Sequence, residues 1–148
     1  MQQAVSARTP AHLWIVGILS LLWSCFGGYD YIMTRMRSTD YLSQMGDATA
    51  ILAWIDGLPM YAQIGWGLGV WCALLGAVLL LMKSRWAVWA FALSLVGMAL
   101  SFGGQYLGAP MPAGLDAGMM RYMPIVIVAA GIAQFYYAWR QQKGGLLK

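Results

Sequence analysis

The sequence predicts an all-α membrane protein: four transmembrane helices in an antiparallel bundle, with both termini in the cytoplasm. Three observations predict this fold. Hydrophobic residues make up 61% of the 148 residues and charged residues only 9%, against about 25% in an ordinary soluble domain. Four apolar segments are each close to the length, about 20 residues, that crosses a bilayer as a helix. Finally, acidic and basic residues gather at opposite ends of these segments, as loop charges do in oriented membrane proteins.

The predicted spans cover residues 12–35, 61–82, 86–107 and 123–139. At a rise of about 1.5 Å per residue, the first three cross a hydrocarbon core of about 30 Å, and the fourth lies at the short end of the range. The first span contains two tryptophans and an aspartate and has no small-x-small cleavage site, so it is interpreted as a retained helix, not a signal peptide. Residues 1–148 therefore form a single membrane domain.

The connection between the first two spans predicts a short interfacial helical segment. Its apolar residues recur at steps of one, three or four, which gives a helix there an apolar stripe. Gly46 and Asp47 resemble a break followed by an N-cap, and the run at 56–59 resembles a helix stop. Two short helices and one kinked helix both fit this pattern. The connection after the third span, 108–114, is a turn rich in glycine and proline.

Charge distribution predicts the orientation. Lys83-Ser84-Arg85 is a tight hairpin between the second and third spans, and basic loops favour the cytoplasmic side. The bases on the side of that hairpin are Arg8, Lys83, Arg85, Arg140, Lys143 and Lys148, and those on the other side are Arg35, Arg37 and Arg121. All five acids, Asp30, Asp40, Asp47, Asp56 and Asp116, belong to the external side.

Small residues on the spans predict where helices pack, because association in lipid depends on close backbone approach. They are Gly27 in the first span, Gly65, Gly69, Ala73 and Gly76 in the second, and Ser94, Gly97 and Ser101 in the third. Packing within one chain is the first interpretation, and homodimerisation through the same glycines is the competing one.

A polar cleft is predicted at the external ends of the spans. Asp30 is the only acid within a predicted span, and an acid in that position suggests function because burial of its charge is costly. Its position near the outer interface, where water is available, favours a structural role instead, in which Asp30 pairs with Arg35 or Arg121 or caps a loop; a ligand- or proton-binding role is the competing interpretation. The candidate ligand-binding residues at this level are Asp30, Tyr31, Thr34, Gln63, Gln105, Tyr106 and Arg121. Gln134, within the fourth span, is expected to hydrogen-bond to another helix.

The sequence gives little support for metal, cofactor or nucleic-acid chemistry. It has two isolated cysteines without a Cys-x-x-Cys pair, one histidine and no glutamate, so no catalytic, cofactor-binding or metal-binding residues are predicted. The basic residues flank apolar segments instead of forming a compact surface, which argues against a nucleic-acid partner. The expected partners are the lipid bilayer and either further copies of the chain or a larger membrane complex.

One stretch resembles a known group. Residues 21–34, Leu-Leu-Trp-Ser-Cys-Phe-Gly-Gly-Tyr-Asp-Tyr-Ile-Met-Thr, followed by Tyr41-Leu42 and by Leu-Leu-Leu-Met-Lys-Ser-Arg-Trp-Ala at 79–87, are similar to a run in small four-helix proteobacterial inner-membrane proteins of uncharacterised function. Members of this group are often labelled sugar transporters, and Ser24 stands where they usually have Asn. The resemblance covers the first two spans and the start of the third, and implies a bacterial inner-membrane location.

Three functions follow as hypotheses. The first is a non-enzymatic accessory subunit or small binding module, because packing faces are present and catalytic groups are not evident. The second is a small-solute transporter, for sugars among others, that acts as an oligomer with Asp30, Gln63, Gln105 and Tyr106 along its path. The third is a membrane enzyme acting on a lipid or a quinone, with Asp30 and tyrosines as acid and base.

Overall fold

The computed structural model describes residues 8–148, so the first seven residues of the predicted domain lie outside the description. Over this range the chain forms six α-helices and a 3₁₀ turn at Gly118–Tyr122. The helices are α1 (Ala11–Arg35), α2 (Thr39–Leu42), α3 (Ala48–Asp56), α4 (Met60–Leu81), α5 (Trp86–Leu107) and α6 (Met123–Lys143). Four of these segments, α1, α4, α5 and α6 with its preceding turn, are long and apolar enough to cross a membrane. The prediction of a helical, multi-pass membrane protein is confirmed.

The bounds of the long helices are close to the predicted ones, with one difference at the end of α6. The apolar pattern stops near residue 139, whereas the helix continues to Lys143. Backbone hydrogen bonding does not require apolar side chains, so a helix continues into the polar region beyond a bilayer. The predicted span of 17 residues is therefore the apolar part of a longer helix.

Three of the helices end in the same backbone motif. After α1, Ser38 N donates to Met33 O and Arg37 N donates to Thr34 O, at 3.1 and 3.0 Å. After α4, the corresponding bonds start from the amides of residues 83 and 84, and after α6 from those of residues 145 and 146. This motif needs a residue with positive φ, which is usually glycine. Gly145 supplies it after α6, whereas Arg37 and Lys83 adopt it at a φ of 57°.

The four long helices are arranged in a row. α1 packs on α4, α4 on α5, and α5 on α6. Within the described chain, α1 and α6 do not pack along their length but meet at one end, where His12 Nδ1 and the Tyr137 hydroxyl lie 2.6 Å apart in a hydrogen bond. Because α1 and α6 meet only at that end, a space is left between them along the rest of their length.

The α4–α5 pair is the closest contact in the row. A Cβ added at Gly65 would lie 2.6 Å from the Leu100 Cβ, and one added at Gly69 would lie 3.3 Å from the Met98 amide nitrogen. The Ser94 hydroxyl donates a hydrogen bond of 2.7 Å to the Gly69 carbonyl. Small residues therefore let the two backbones approach, as helices in lipid require.

The two ends of the bundle along the helix axes are covered by different groups. At the hairpin end, where α4 turns into α5, a cluster of buried side chains fills the space between helices: Leu13, Ala77, Leu80, Ala87, Val88, Phe91, Ala138 and Leu147. Residue 148 is fixed to the hairpin by the bonds Lys148 N to Lys83 O and Arg85 N to Lys148 O. At the other end, α2 and α3 lie across the bundle. Their buried residues Leu42, Ile51 and Leu52 pack with Leu115, and we call residues 38–56 together with Leu115 the roof.

We expect Gly97→Ala to destabilise the bundle by about 1–3 kcal/mol, because its Cβ would overlap α4 backbone atoms. That Cβ would lie 2.6 Å from the Gly65 carbonyl oxygen and 2.9 Å from the Gly69 Cα. Gly103→Ala on the same helix is the matched control, since its Cβ has no neighbour within 4 Å, and both variants share the gain in helix propensity. Reversible unfolding in mixed micelles measures the difference. Equal stability of the two variants would contradict the close α4–α5 packing.

Candidate functional site

A cavity of about 590 Å³ occupies the half of the bundle under the roof. Its lining comes from residues 23–34 of α1, 65–73 of α4, 98–105 of α5 and 123–134 of α6, together with the roof. It exists because α1 and α6 stand on opposite sides of the α4–α5 pair and do not meet at this level. A volume of this size lies in the range of about 300–1,000 Å³ that is typical of small-molecule sites.

Polar groups are few in this cavity and each has a defined position. The Tyr41 hydroxyl donates a hydrogen bond of 2.7 Å to Asp30 Oδ1, and Gln105 Nε2 donates one of 2.9 Å to Ser101 Oγ. Gln134 also lines the cavity and is only 7% exposed. Among the described lining residues, Asp30 is the only charged one.

Ser24 has an unusual position on α1. Its side chain lines the cavity and is 4% exposed, and its hydroxyl oxygen is buried without a hydrogen-bond partner among the described residues. A buried hydroxyl without a partner costs roughly 1–3 kcal/mol.

The rest of the wall is apolar, aromatic and rich in methionine. Aromatic side chains approach from α1, α4, α5 and the roof: Trp23, Phe26, Tyr41, Trp54, Trp66 and Phe102. Methionines come from the roof, from α5, from the connection between α5 and α6, and from α6 itself: Met45, Met98, Met111, Met120 and Met123. Because methionine is unbranched and flexible, such a wall can adapt to ligands of different shape.

The Asp30–Tyr41 hydrogen bond joins the roof to a transmembrane helix. Burial raises the pKa of the Tyr41 hydroxyl, and its hydrogen bond to the Asp30 carboxylate raises it further. Tyr41 therefore stays a neutral donor at physiological pH. Its ring also makes an edge contact with Tyr29, at 5.7 Å between ring centroids.

Two further contacts hold the roof in place. The Arg37 guanidinium donates two hydrogen bonds, of 2.9 and 3.0 Å, to the two oxygens of Asp56. Trp54 Nε1 donates to the Ala109 carbonyl at 3.0 Å. At Gly46, which has a φ of 155°, a Cβ would lie 3.1 Å from the Gly114 Cα, so this crossing of the two external connections requires glycine.

The structure places the seven predicted ligand-binding residues in four different environments. Asp30, Thr34 and Gln105 line the cavity. Tyr31 packs instead against Trp66 and Trp71, with centroids 4.9 and 5.8 Å away. Gln63 lies at the start of α4 and donates to the Leu58 carbonyl at 3.1 Å. Tyr106 and Arg121 line a neighbouring cavity of about 280 Å³, which shares wall residues such as Leu115 and Met120 with the larger one. The seven residues therefore do not surround one cleft.

Neither Arg35 nor Arg121, the partners predicted for Asp30, is bonded to it in the structure. Arg35 lies over the rings of Tyr31 and Trp66, at 5.5 and 5.4 Å from their centroids, and donates to Gln63 Oε1 at 3.2 Å. Arg121 lies in the smaller cavity. The hydrogen bond that Asp30 accepts comes from a tyrosine of the roof, which lies 11 residues further along the chain.

The predicted packing residues also occupy different environments. Those of α4 and α5, namely Gly65, Gly69, Ala73, Gly76, Ser94, Gly97 and Ser101, are all buried. Gly27 is different: a Cβ there would have no neighbour within 4 Å, and the residue lines the cavity. Its neighbour Gly28 is buried, next to Trp71. One step along a helix turns a residue by about 100°, which moves it from a packed face to an open one.

Four cavity groups had no place in the predicted cleft: Ser24, Tyr41, Ser101 and Gln134. Ser24 and Ser101 appear in the sequence as small residues suited to packing, and Tyr41 as part of the apolar stripe of the external segment. Only the tertiary arrangement brings these hydroxyl groups and Gln134 to the same space. Within the described residues, His, Cys, Asp and Glu form no group of three that could hold a metal ion.

No protein-family model, no curated protein and no solved structure matches this chain.

We expect Ser24→Ala to leave the free energy of unfolding unchanged or to raise it by up to about 1 kcal/mol, because it removes a buried hydroxyl that has no partner. Ser94→Ala is the matched control. It removes the hydrogen bond to the Gly69 carbonyl and should lower stability by about 0.6–1.7 kcal/mol, the range for such bonds between membrane helices. Unfolding in mixed micelles distinguishes the two. An equal loss in both variants would mean that the Ser24 hydroxyl has a partner within the folded chain.

We expect the roof to loosen at acid pH through Asp56. The two hydrogen bonds from Arg37 hold the pKa of Asp56 below its ordinary value of 3.8. Because the folded protein favours the charged form, this stabilisation is present above the ordinary pKa and is lost as the pH falls through the lower folded-state value. Both side chains are more than half exposed, so the effect is small and is reduced by salt.

Hydrogen exchange of the α3 amides, expressed as protection factors, measures this effect. Asp56→Asn should lower protection at pH 7 and remove the wild-type change between pH 5 and pH 3. Asp40→Asn, an exposed residue of α2, should change neither. A wild-type pH dependence that persists in Asp56→Asn would show that another group holds the roof.

Proposed function

We propose that this chain is a small, non-enzymatic binding module of a bacterial inner membrane, and that it holds an amphiphilic small molecule in the cavity under the roof. The observation that carries the proposal is the cavity itself. It has apolar and aromatic walls, a single charged group near one end, and a buried hydroxyl without a partner. A mostly apolar site with a few placed polar groups is the usual form of a small-molecule pocket.

The proposed orientation follows from the charges. Lys83, Arg85, Arg140 and Lys143 lie at or beside the hairpin end, and such residues favour the cytoplasmic side. The four long helices then alternate in direction, with both termini inside and the roof outside. Residues early in α4 contact residues late in α5, since Gly65 lies by Ser101 and Gly76 by Phe91. This order supports opposite directions for these two helices. The resemblance of residues 21–34 to small proteobacterial proteins supports the inner membrane as the location.

Access to the cavity is from the bilayer, between α1 and α6. These helices meet at the His12–Tyr137 contact and separate toward the roof. Phe26 of α1 lines the cavity and is 60% exposed. An amphiphile already dissolved in the membrane can therefore enter with its polar group toward Asp30 and its apolar part along the helices.

Binding is favoured over transport by the hairpin end. The cluster that includes Leu13, Leu80 and Phe91, each at most 1% exposed, fills the space between the helices on that side. A transport route through one chain would have to separate this core in every cycle. A route shared between chains, as in the transporter hypothesis, would need an interface at which Asp30 and Gln105 still face the solute.

We expect Gly27→Leu to fill the cavity and reduce the amount of bound amphiphile at least tenfold without loss of folding. The Cβ of residue 27 would enter open space within the cavity wall. Gly103→Leu is the matched control, because it also has open space at its Cβ but is not a lining residue of this cavity. Native mass spectrometry of protein extracted gently from its own membrane measures the mass of any retained molecule per chain.

Each result has a clear meaning. A small molecule retained by the wild type and by Gly103→Leu, but not by Gly27→Leu, supports the proposal. A wild-type chain that carries no small molecule, or one retained equally by both variants, contradicts it. A foreign subunit in stoichiometric amount with an empty cavity would favour the accessory-subunit hypothesis instead.

A further inference from the structure

We infer that the ligand of this cavity is a lipophilic cation, a compact apolar molecule with one positive charge, and that Asp30 is its counter-ion. This inference rests on the proposed binding function and adds the charge of the ligand to it.

The charge of the cavity is the first argument. Asp30 is the only charged residue in its described lining, and no lysine, arginine or histidine contributes to that lining. An anionic amphiphile, such as a molecule with a phosphate or a carboxylate, would meet a carboxylate and no compensating base. Transfer of an unpaired charge into an apolar site is very costly, so an anion is disfavoured and a cation is favoured.

Two nearby arginines, Arg35 and Arg37, are engaged elsewhere. Arg35 is held over Tyr31 and Trp66 and bonded to Gln63. Arg37 forms its paired hydrogen bonds with Asp56. Among the described residues, the recorded partner of the Asp30 carboxylate is the neutral hydroxyl of Tyr41, which bonds one of its two oxygens. A positive charge for Asp30 can therefore come from a ligand.

Aromatic rings supply the second argument. A cation within about 6 Å of a ring centroid is attracted to the face of the ring, most strongly for tryptophan. Trp23 and Asp30 are seven residues apart on α1, with Gly27 between them, so all three lie on one face of the helix. Gly27 leaves open space there, and Trp54 and Trp66 approach the same cavity from the roof and from α4.

The test uses two ions of the same size and shape. Tetraphenylphosphonium is a lipophilic cation, and tetraphenylborate is its anionic counterpart. Equilibrium dialysis of the purified full chain in a neutral detergent measures binding of each ion above the detergent background. We expect tetraphenylphosphonium to bind at about one per chain and tetraphenylborate to stay at background.

Three variants identify the counter-ion. Asp30→Asn should weaken tetraphenylphosphonium binding at least tenfold, whereas Asp30→Glu, which keeps the charge, should retain most of it. Asp40→Asn, the same chemical change on an exposed residue outside the cavity, should bind as the wild type does. Circular dichroism and thermal unfolding of each variant show that it is folded.

The outcomes separate this inference from the proposed function. If tetraphenylborate binds as well as tetraphenylphosphonium, or if Asp30→Asn binds the cation normally, the inference of a cationic ligand is overturned and binding of amphiphiles stands. If native mass spectrometry finds a neutral or anionic molecule in the cavity, the inference is also overturned. If neither ion binds and the extracted chain is empty, the proposed function fails with it.

Discussion

The close approach of α4 to α5 determines where the rest of the chain can lie. Glycines on both helices let the two backbones come into contact, and the Ser94 hydroxyl bonds across the contact to the Gly69 carbonyl. α1 then packs on the α4 side and α6 on the α5 side. The two outer helices do not pack on each other along their length. They contact each other at the His12–Tyr137 hydrogen bond, and the cavity occupies the space that remains between them.

An open space of this kind in a membrane protein needs a cover, and its polar groups need hydrogen-bond partners. The roof supplies the cover. It follows a left-handed residue, Arg37, and is fixed by hydrogen bonds from Arg37 and Trp54 and by the close crossing at Gly46. Lipid cannot satisfy a buried polar group, and two of the polar pairs, Asp30 with Tyr41 and Gln105 with Ser101, satisfy each other locally. Ser24 is the exception, because its hydroxyl oxygen is buried without a partner among the described residues.

The sequence predicted the elements well and the site only in part. Spans and the break at Gly46–Asp47 follow from apolar length and capping residues, which are local properties, and the Asp47 side chain does cap α3 by accepting from the Thr49 amide. The left-handed turns at Arg37 and Lys83 could not be read in the same way, because glycine is the residue that usually signals them.

Candidate residues were grouped by their depth in the membrane, but depth does not determine direction. Tyr31 and Tyr106 are at the correct level, yet each is one residue from a cavity residue, Asp30 or Gln105. A rotation of about 100° per residue turns both away from the cavity. Tyr41 reaches Asp30 because the roof folds back on α1. No local sequence pattern predicts that contact.

The position of Asp30 connects the roof and the cavity in one further respect. Tyr41 bonds only the Oδ1 atom of the carboxylate, and an ionised carboxylate accepts several hydrogen bonds through two oxygens. A ligand at Asp30 therefore need not displace Tyr41, and the roof need not open for the cavity to fill. In the proposed function, a ligand that enters between α1 and α6 passes side chains such as Phe26, which is already exposed, and Met123, which is flexible. The proposal thus gives the roof and the gap between the outer helices separate tasks: the roof covers the charged end of the cavity, and the gap is the entrance.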